Sequence, residues 1–363
     1  MSTERIIKEY EEQKATLDIL ESKIVTLFED LSNYNKVSFH DIRARVKERD
    51  SLQQKIEKKQ GKYSELNDIT DVVGIRIITY FNDDVDKLAT IIEDEFSVDQ
   101  KNSVDKRKKD PDRFGYASLH FVVTFNDERL KLIEYKHFEG IKFEIQIRSI
   151  LQHAWAEIEH DIGYKSKNEV PEEIRRDFSR IAGLLELADM EFLRIKGFIE
   201  KYTEEIETKI ENNSLMIKLD KVTLTEYINK SRLVEGINNT LEEKYHGLKI
   251  NDDYTSVLST DLEILRFFDI NKVIDLDELL SKKKEKVLSF FEKWYESSFD
   301  FSENRSAYPK DISLFYLYYV LIYENYSEKL LSDYLEISSI DDDLHQSVID
   351  DFNNLKNEDW KLS

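Results

Sequence analysis

Phe143-Glu144-Ile145-Gln146-Ile147-Arg148 alternates apolar with polar residues. Successive side chains of a strand point to opposite faces, so Phe143, Ile145 and Ile147 are expected in a core, with Glu144, Gln146 and Arg148 forming a polar row on the other side. Two more stretches divide in a similar way. Across residues 38–47, Ile42, Ala44 and Val46 fall on one face and Arg43, Arg45 and Lys47 on the other. Three neighbouring cations repel unless something anionic, such as a polyphosphate, lies over them. Val72-Val73-Gly74-Ile75-Arg76-Ile77-Ile78-Thr79-Tyr80 is apolar on both faces except for Arg76, with Asp71 at its mouth. That pattern predicts a central strand in which Arg76 requires a partner or a ligand.

Helical spacing surrounds these strands. Ile6, Ile7, Tyr10, Leu17, Leu20, Ile24, Leu27, Phe28 and Leu31 predict an amphipathic helix, or a pair, over residues 4–31. Asp50 followed by Gln53 has the form of a capping box opening a helix to about residue 59, with Ser51 and Lys55 one turn apart on one face. Asp83 and Asp84 begin a helix bearing Leu88, Ile91, Ile92 and Phe96; a strand is expected over 120–125 and a helix over 150–163. Pro171 opens a longer helix reaching about residue 212. Strands interleaved with helices give an α/β or α+β domain over about residues 35–165. Beyond residue 213, the segments 224–233, 262–268, 287–294 and 312–326 read as helices joined by Asn, Asp and Ser. The organisation expected is a helical segment 1–34, a mixed domain 35–212 and an acidic helical module 213–363.

A chain of 363 residues, 40% hydrophobic and 35% charged, suits two globular domains. The absence of cysteine excludes disulfides and thiolate metal sites. The N-terminus lacks the apolar stretch of a signal peptide, and the longest largely apolar run, 312–323, has only 12 residues. A cytoplasmic protein with no membrane partner is expected. The net charge of −22 argues against simple attraction to nucleic acid. Two basic islands modify this: residues 41–62 hold eight Lys/Arg against four Asp/Glu, and 101–113 hold six against three. Residues 331–363 are the opposite, nine acids against two bases. Each island taken alone reads equally well as a solvated face. The seven histidines form no HExxH and no other zinc spacing, and His40-Asp41 has no supporting histidines before it.

Five ordered blocks carry a family resemblance: Arg45-Val46-Lys47 with Ser51 and Lys55; 68–76, Asp-Ile-Thr-Asp-Val-Val-Gly-Ile-Arg; 114–120, Phe-Gly-Tyr-Ala-Ser-Leu-His; 144–148, Glu-Ile-Gln-Ile-Arg; and His153-Ala154-Trp155-Ala156. Together they resemble the synthetase domain of RelA/SpoT-type alarmone synthetases in the small, hydrolase-free form. The resemblance implies an α+β fold, a nucleotidyltransferase-like mixed sheet flanked by helices, here followed by an all-α C-terminal module. It also implies transfer of pyrophosphate from ATP to the 3′-hydroxyl of GTP or GDP, with release of AMP. Mg²⁺ held by Asp71 and Glu144 would offset the polyphosphate charge. Arg45 and Arg76 correspond to arginines that stack on adenine, and Lys47, Ser51 and Lys55 to groups that hold the ATP phosphates. Tyr116 matches the platform for the acceptor base, with His120, Gln146, Arg148 and His153 completing the acceptor site.

Singly, these residues have plainer readings: Tyr116 as a turn aromatic, His153 as a structural histidine, Asp71 as a strand cap. Their joint occurrence favours the site. The resemblance leaves residues 213–363 unassigned. Related single-domain enzymes include toxins acting on the 3′ end of tRNA, so a tRNA acceptor is the first alternative; a nucleotide-binding pseudoenzyme signalling through the C-terminal module is the second. A homo-oligomer, or a regulatory partner on that module, is expected on the same grounds.

Overall fold

The computed structural model describes residues 2–59, 61–105, 107, 118–163, 172–245, 248–251, 259–297, 308–338 and 340–357. Packing divides the chain into two units, Met1–Gly197 and Phe198–Ser363.

The first unit opens with α1 (Ser2–Tyr34), a single helix rather than a pair. Strand β1 (Phe39–Val46) follows, then α2 (Arg49–Lys58), β2 (Val73–Thr79), α3 (Asn82–Glu95) and the short strands β3 (Phe96–Val98) and β4 (Val104–Asp105). Next come β5 (Leu119–Phe125), the one-turn α4 (Asp127–Leu130), β6 (Phe143–Ser149), α5 (Ile150–Gly163) and α6 (Glu172–Glu211). The expected capping box at Asp50 does not form. The helix begins one residue earlier, Glu48 is its N-cap without a side-chain bond, and Gln53 donates instead to Glu57 along the helix. Pro171 lies outside the described residues.

The sheet runs β1-β2-β6-β5-β3, with β4 also on β5. Only the β2–β6 pair is parallel; β1–β2, β5–β6, β3–β5 and β4–β5 are antiparallel, so the sheet is mixed. Register fixes which side chains share a face. Val73, Ile75 and Ile77 pair with Val46, Ala44 and Ile42 on one side, and Ile75 and Ile77 with Ile145 and Ile147 on the other. This apolar face joins Ile6, Leu17, Leu20, Ile24 and Phe28 of α1 and Val85, Leu88 and Ile92 of α3 in one core. Burial of each such side chain contributes roughly 1.5–3 kcal/mol before the entropy of ordering it. Ile78 and Val122 are also buried but stand outside that cluster, because their register places them on the other, polar face.

The second unit contains the end of α6 and then α7 (Lys221–Lys230), α8 (Arg232–Lys244), β7 (Ile250–Asn251), α9 (Ser259–Phe267), α10 (Val273–Ser297), β8 (Tyr308–Pro309), α11 (Ile312–Glu324), α12 (Glu328–Ile337) and α13 (Asp342–Asn357). The helix expected over 224–233 is interrupted at Ser231, which ends α7 and caps α8. The two-residue parallel pair β7–β8 adds the one small sheet among the described residues of this unit. Helix α11 is the 12-residue apolar run seen in the sequence. Apart from Phe315 and Glu324 its side chains are buried, which places it at the centre of the helices around it. Its tyrosines pack against Phe290, Phe352 and Tyr334, and Tyr318 reaches Asp261 at 3.3 Å. No helix among the described residues is long and apolar enough to cross a membrane.

Candidate active site

The polar face is assembled by register. One row across it reads Arg45, Gly74, Glu144, Val122; the next reads Arg43, Arg76, Gln146, His120; a third holds Asp41, Ile78 and Arg148. Thus Arg45, Arg76, His120, Glu144, Gln146 and Arg148, named from the sequence, lie on one side of one sheet. Gly74 sits between Arg45 and Glu144, and a Cβ there would meet no atom within 4 Å. A glycine inside a central strand weakens it and marks a place where something must approach the backbone closely.

Asp71 precedes β2 and is held from two sides. Lys55 of α2 donates to its Oδ1, and the Lys47 ammonium stands 3.2 Å from its Oδ2. Burial by itself would raise the Asp71 carboxyl, but the Lys55 hydrogen bond and charge, with Lys47 behind them, hold it below the usual carboxylate range. Ser51, one turn before Lys55 on α2, is exposed.

Glu144 is ligated just as fully. His120 Nδ1 lies 2.7 Å from its Oε1, and the Gln146 amide donates to its Oε2 at 3.2 Å. An ionised carboxylate only accepts, so Nδ1 carries the proton, and in the neutral ring Nε2 accepts from the Ser118 hydroxyl. Burial would raise Glu144; the His120 and Gln146 contacts outweigh it, while the negative charge of Asp71 acts in the opposite sense. Each carboxylate is therefore kept ionised by its own donors, and the two are close enough to repel. Two ionised carboxylates that act on one another in this way could share a divalent cation whose remaining positions are filled by other oxygen ligands. Among the described residues no group of three or more His, Cys, Asp or Glu could hold a metal alone.

Arg148 is 7% exposed and has only a long, 3.5 Å bond to the Gln146 carbonyl; its Nε is buried with no partner. Burial and the neighbouring Arg76 push its pKa down to about 10. His153, on α5, is likewise lowered by burial and by Arg148, and its Nδ1 is buried without a hydrogen bond. The partner Arg76 required is Glu157, on the same helix: Nη1 donates to Oε1 at 2.9 Å. Glu157 escaped the sequence reading because one acid on a helix looks like solvent exposure; its spacing of four from His153 was the available signal. Arg45 is exposed on the edge strand. Tyr116, with Gly115 and most of the second basic island, lies outside the described residues. Within that island Arg107 pairs with Asp105 and Asp86. His40 meets Tyr80 edge-on and Asp41 pairs with Arg43, so neither builds a metal site.

Residues 44–169 match the family model described as the region found in RelA / SpoT proteins. The GTP pyrophosphokinase YwaC of Bacillus subtilis (strain 168) is 30% identical over 197 residues, which cover 52% of this chain and 88% of that protein. The GTP pyrophosphokinase YjbM of the same organism is 27% identical over 201 residues, 54% of this chain and 90% of that protein. The crystal structure of small alarmone synthetase 1 from Bacillus subtilis covers 53% of this chain and 99% of its own, at 22% identity and a TM-score of 0.44.

Proposed function

This chain belongs to the RelA/SpoT family, and from that premise we propose that it is a GTP pyrophosphokinase, moving the β,γ-pyrophosphate of ATP to the 3′-hydroxyl of GTP or GDP and releasing AMP. In that reaction a bond forms between the 3′-oxygen and the β-phosphorus while the hydroxyl proton passes to water, the bond from the β-phosphorus to the oxygen bridging it to the α-phosphorus breaks, and AMP leaves with that oxygen. The observation that supports the reading is the pair Asp71 and Glu144, which come from separate segments, act on one another by charge and are held ionised by different donors.

Asp71 and Glu144 would hold Mg²⁺, whose chemistry here is to offset negative charge on the polyphosphate. Lys47 and Lys55 pair with Asp71; turned towards the donor, the same ammonium groups, with the Ser51 hydroxyl, would bind phosphate oxygens. Arg45 and Arg76 flank the space above Gly74, and their flat guanidinium groups suit the adenine of the donor. His120, Gln146, Arg148 and His153 face the acceptor, and the Arg148 Nε, buried without a hydrogen bond, is a donor that a bound acceptor would satisfy. We assign Tyr116 to the acceptor base. Glu144 acts as metal ligand first, because a carboxylate held below its ordinary range is a weak base at neutral pH.

We place the transfer chemistry in residues 35–212 and treat 213–363 as a separate module for a partner or a second copy. Purified protein incubated with Mg²⁺, γ-labelled ATP and GTP, GDP or bulk tRNA tests the reading, since the γ label travels with intact pyrophosphate. Labelled guanosine product is expected; label in tRNA alone, or nucleotide binding with no transfer, overturns it.

A further inference from the structure

We propose that Glu157 is a positioning residue for the donor nucleotide, holding one edge of the Arg76 guanidinium so that its flat face is presented to the adenine. This rests on the reading of Arg76 given above. Arg76 stands opposite Arg43 on β1, and its charge is felt by Arg148 and His153. Asp41, the other carboxylate felt by His153, is engaged by Arg43. Glu157 is the anion that the structure sets against this cluster: 2.9 Å from Arg76 Nη1 and 3.6 Å from His153 Nδ1.

The consequence lies in orientation. Glu157 is 53% exposed and Arg76 35%, and a pair that open to water adds little to folding. It removes freedom from a long side chain, however, at the one nitrogen it grips, and leaves the planar face unobstructed. The single carboxylate bonds Arg76 directly, while the Arg148 Nε stays buried without a hydrogen bond and feels Glu157 only through its charge.

Steady-state kinetics of Glu157→Gln and Glu157→Ala separate this from a merely structural role. In Glu157→Ala the KM for ATP is expected to rise about fivefold, with less change in Glu157→Gln, whose amide oxygen still accepts. The kcat, the KM for the acceptor and the melting temperature stay near wild type. In an Arg76→Ala background Glu157→Ala adds nothing. An unchanged KM for ATP, or a change confined to the acceptor, beside an active wild-type control overturns the role. If the wild type transfers nothing, affinity for a non-hydrolysable ATP analogue decides: weaker binding by Glu157→Ala supports the role, and equal binding overturns it.

Discussion

His120 and Glu144, diagonal neighbours in adjacent rows on β5 and β6, meet through Nδ1 and Oε1 at 2.7 Å, and this contact keeps a largely buried carboxylate charged. Burial pulls the Glu144 carboxyl upward and the imidazole pulls it back. The Asp71 charge adds to the upward pull, so the balance depends on His120 more than on any other side chain near it.

In His120→Ala, therefore, the Glu144 carboxyl rises. If transfer requires that carboxyl ionised, the acid limb of the pH–rate profile moves to higher pH than in wild type, and activity at pH 7 falls less than activity at pH 5.5. Glu144→Gln removes the charge altogether and is expected to cost roughly 100-fold or more in kcat. The measurement is labelled-pyrophosphate transfer across pH; coincident acid limbs in wild type and His120→Ala would refute the coupling.

Asp71 and Glu144 also tie stability to pH. Both are lowered in the folded state, so the stability they contribute is present above their unfolded values, near 3.8 and 4.5, and is lost as pH falls through the lower folded values. Asp99, brought to about 2 chiefly by the Lys142 hydrogen bond, extends the same trend to more acid pH. Urea titrations between pH 6 and 3 should show stability falling with pH, less steeply in Asp71→Asn.

Gly74→Ala tests the open space in the central strand. Its φ is not in the left-handed region and a Cβ there touches nothing within 4 Å, so folding should be unharmed or improved by about 0.5 kcal/mol. Yet the methyl group enters the gap between Arg45 and Glu144. Donor binding is expected to weaken about tenfold with no fall in melting temperature; a fall in melting temperature without weaker binding would contradict the close approach.

In the second unit Asp220 caps α7, accepting from the Thr223 N–H at 2.9 Å while the Thr223 hydroxyl accepts from the Asp220 N–H at 2.8 Å. The same carboxylate accepts from the Tyr202 hydroxyl at 2.7 Å. Asp220→Ala should cost about 1–2 kcal/mol. Faster amide exchange in α7 than in α10 is the expected signature.

Much of this was legible in the sequence where two periodicities do not compete. The alternation in 143–148 could only be a strand with unlike faces, and once three such strands pair in register their polar rows must coincide. Strands β3 and β4, at three and two residues, are too short to show a period. The break at Ser231 was hidden because Leu224, Ile228 and Leu233 keep near-helical spacing across it. Helices α12 and α13 lie in the acidic tail and read there as charge rather than as helix, although Leu331 with Leu335 and Val348 with Phe352 and Leu355 carry the buried spacing. Glu157 belongs to tertiary structure: its spacing of four from His153 marks a shared helix face, but that spacing does not announce an arginine 81 residues earlier as its partner.

The lysines at Asp71 lead to the last expectation, which separates charge neutralisation from metal binding. Lys47 and Lys55 both direct their ammonium groups at this carboxylate. On the proposed reading a divalent cation would give the carboxylate another partner, and both lysines would then turn to phosphate. Without one, any ATP that binds must first pull the lysines away from Asp71. Asp71→Asn removes the competing charge, so in the presence of a chelator it should bind ATP more tightly than wild type, by roughly tenfold. Transfer in the presence of Mg²⁺ should nonetheless be lost, because one of the two carboxylates is gone. Calorimetric titration of ATP with and without Mg²⁺ measures the first part and labelled transfer the second. Tighter metal-free binding together with lost transfer is the combination that this arrangement of charges requires; weaker metal-free binding would mean that the lysines do not move from the carboxylate to the donor.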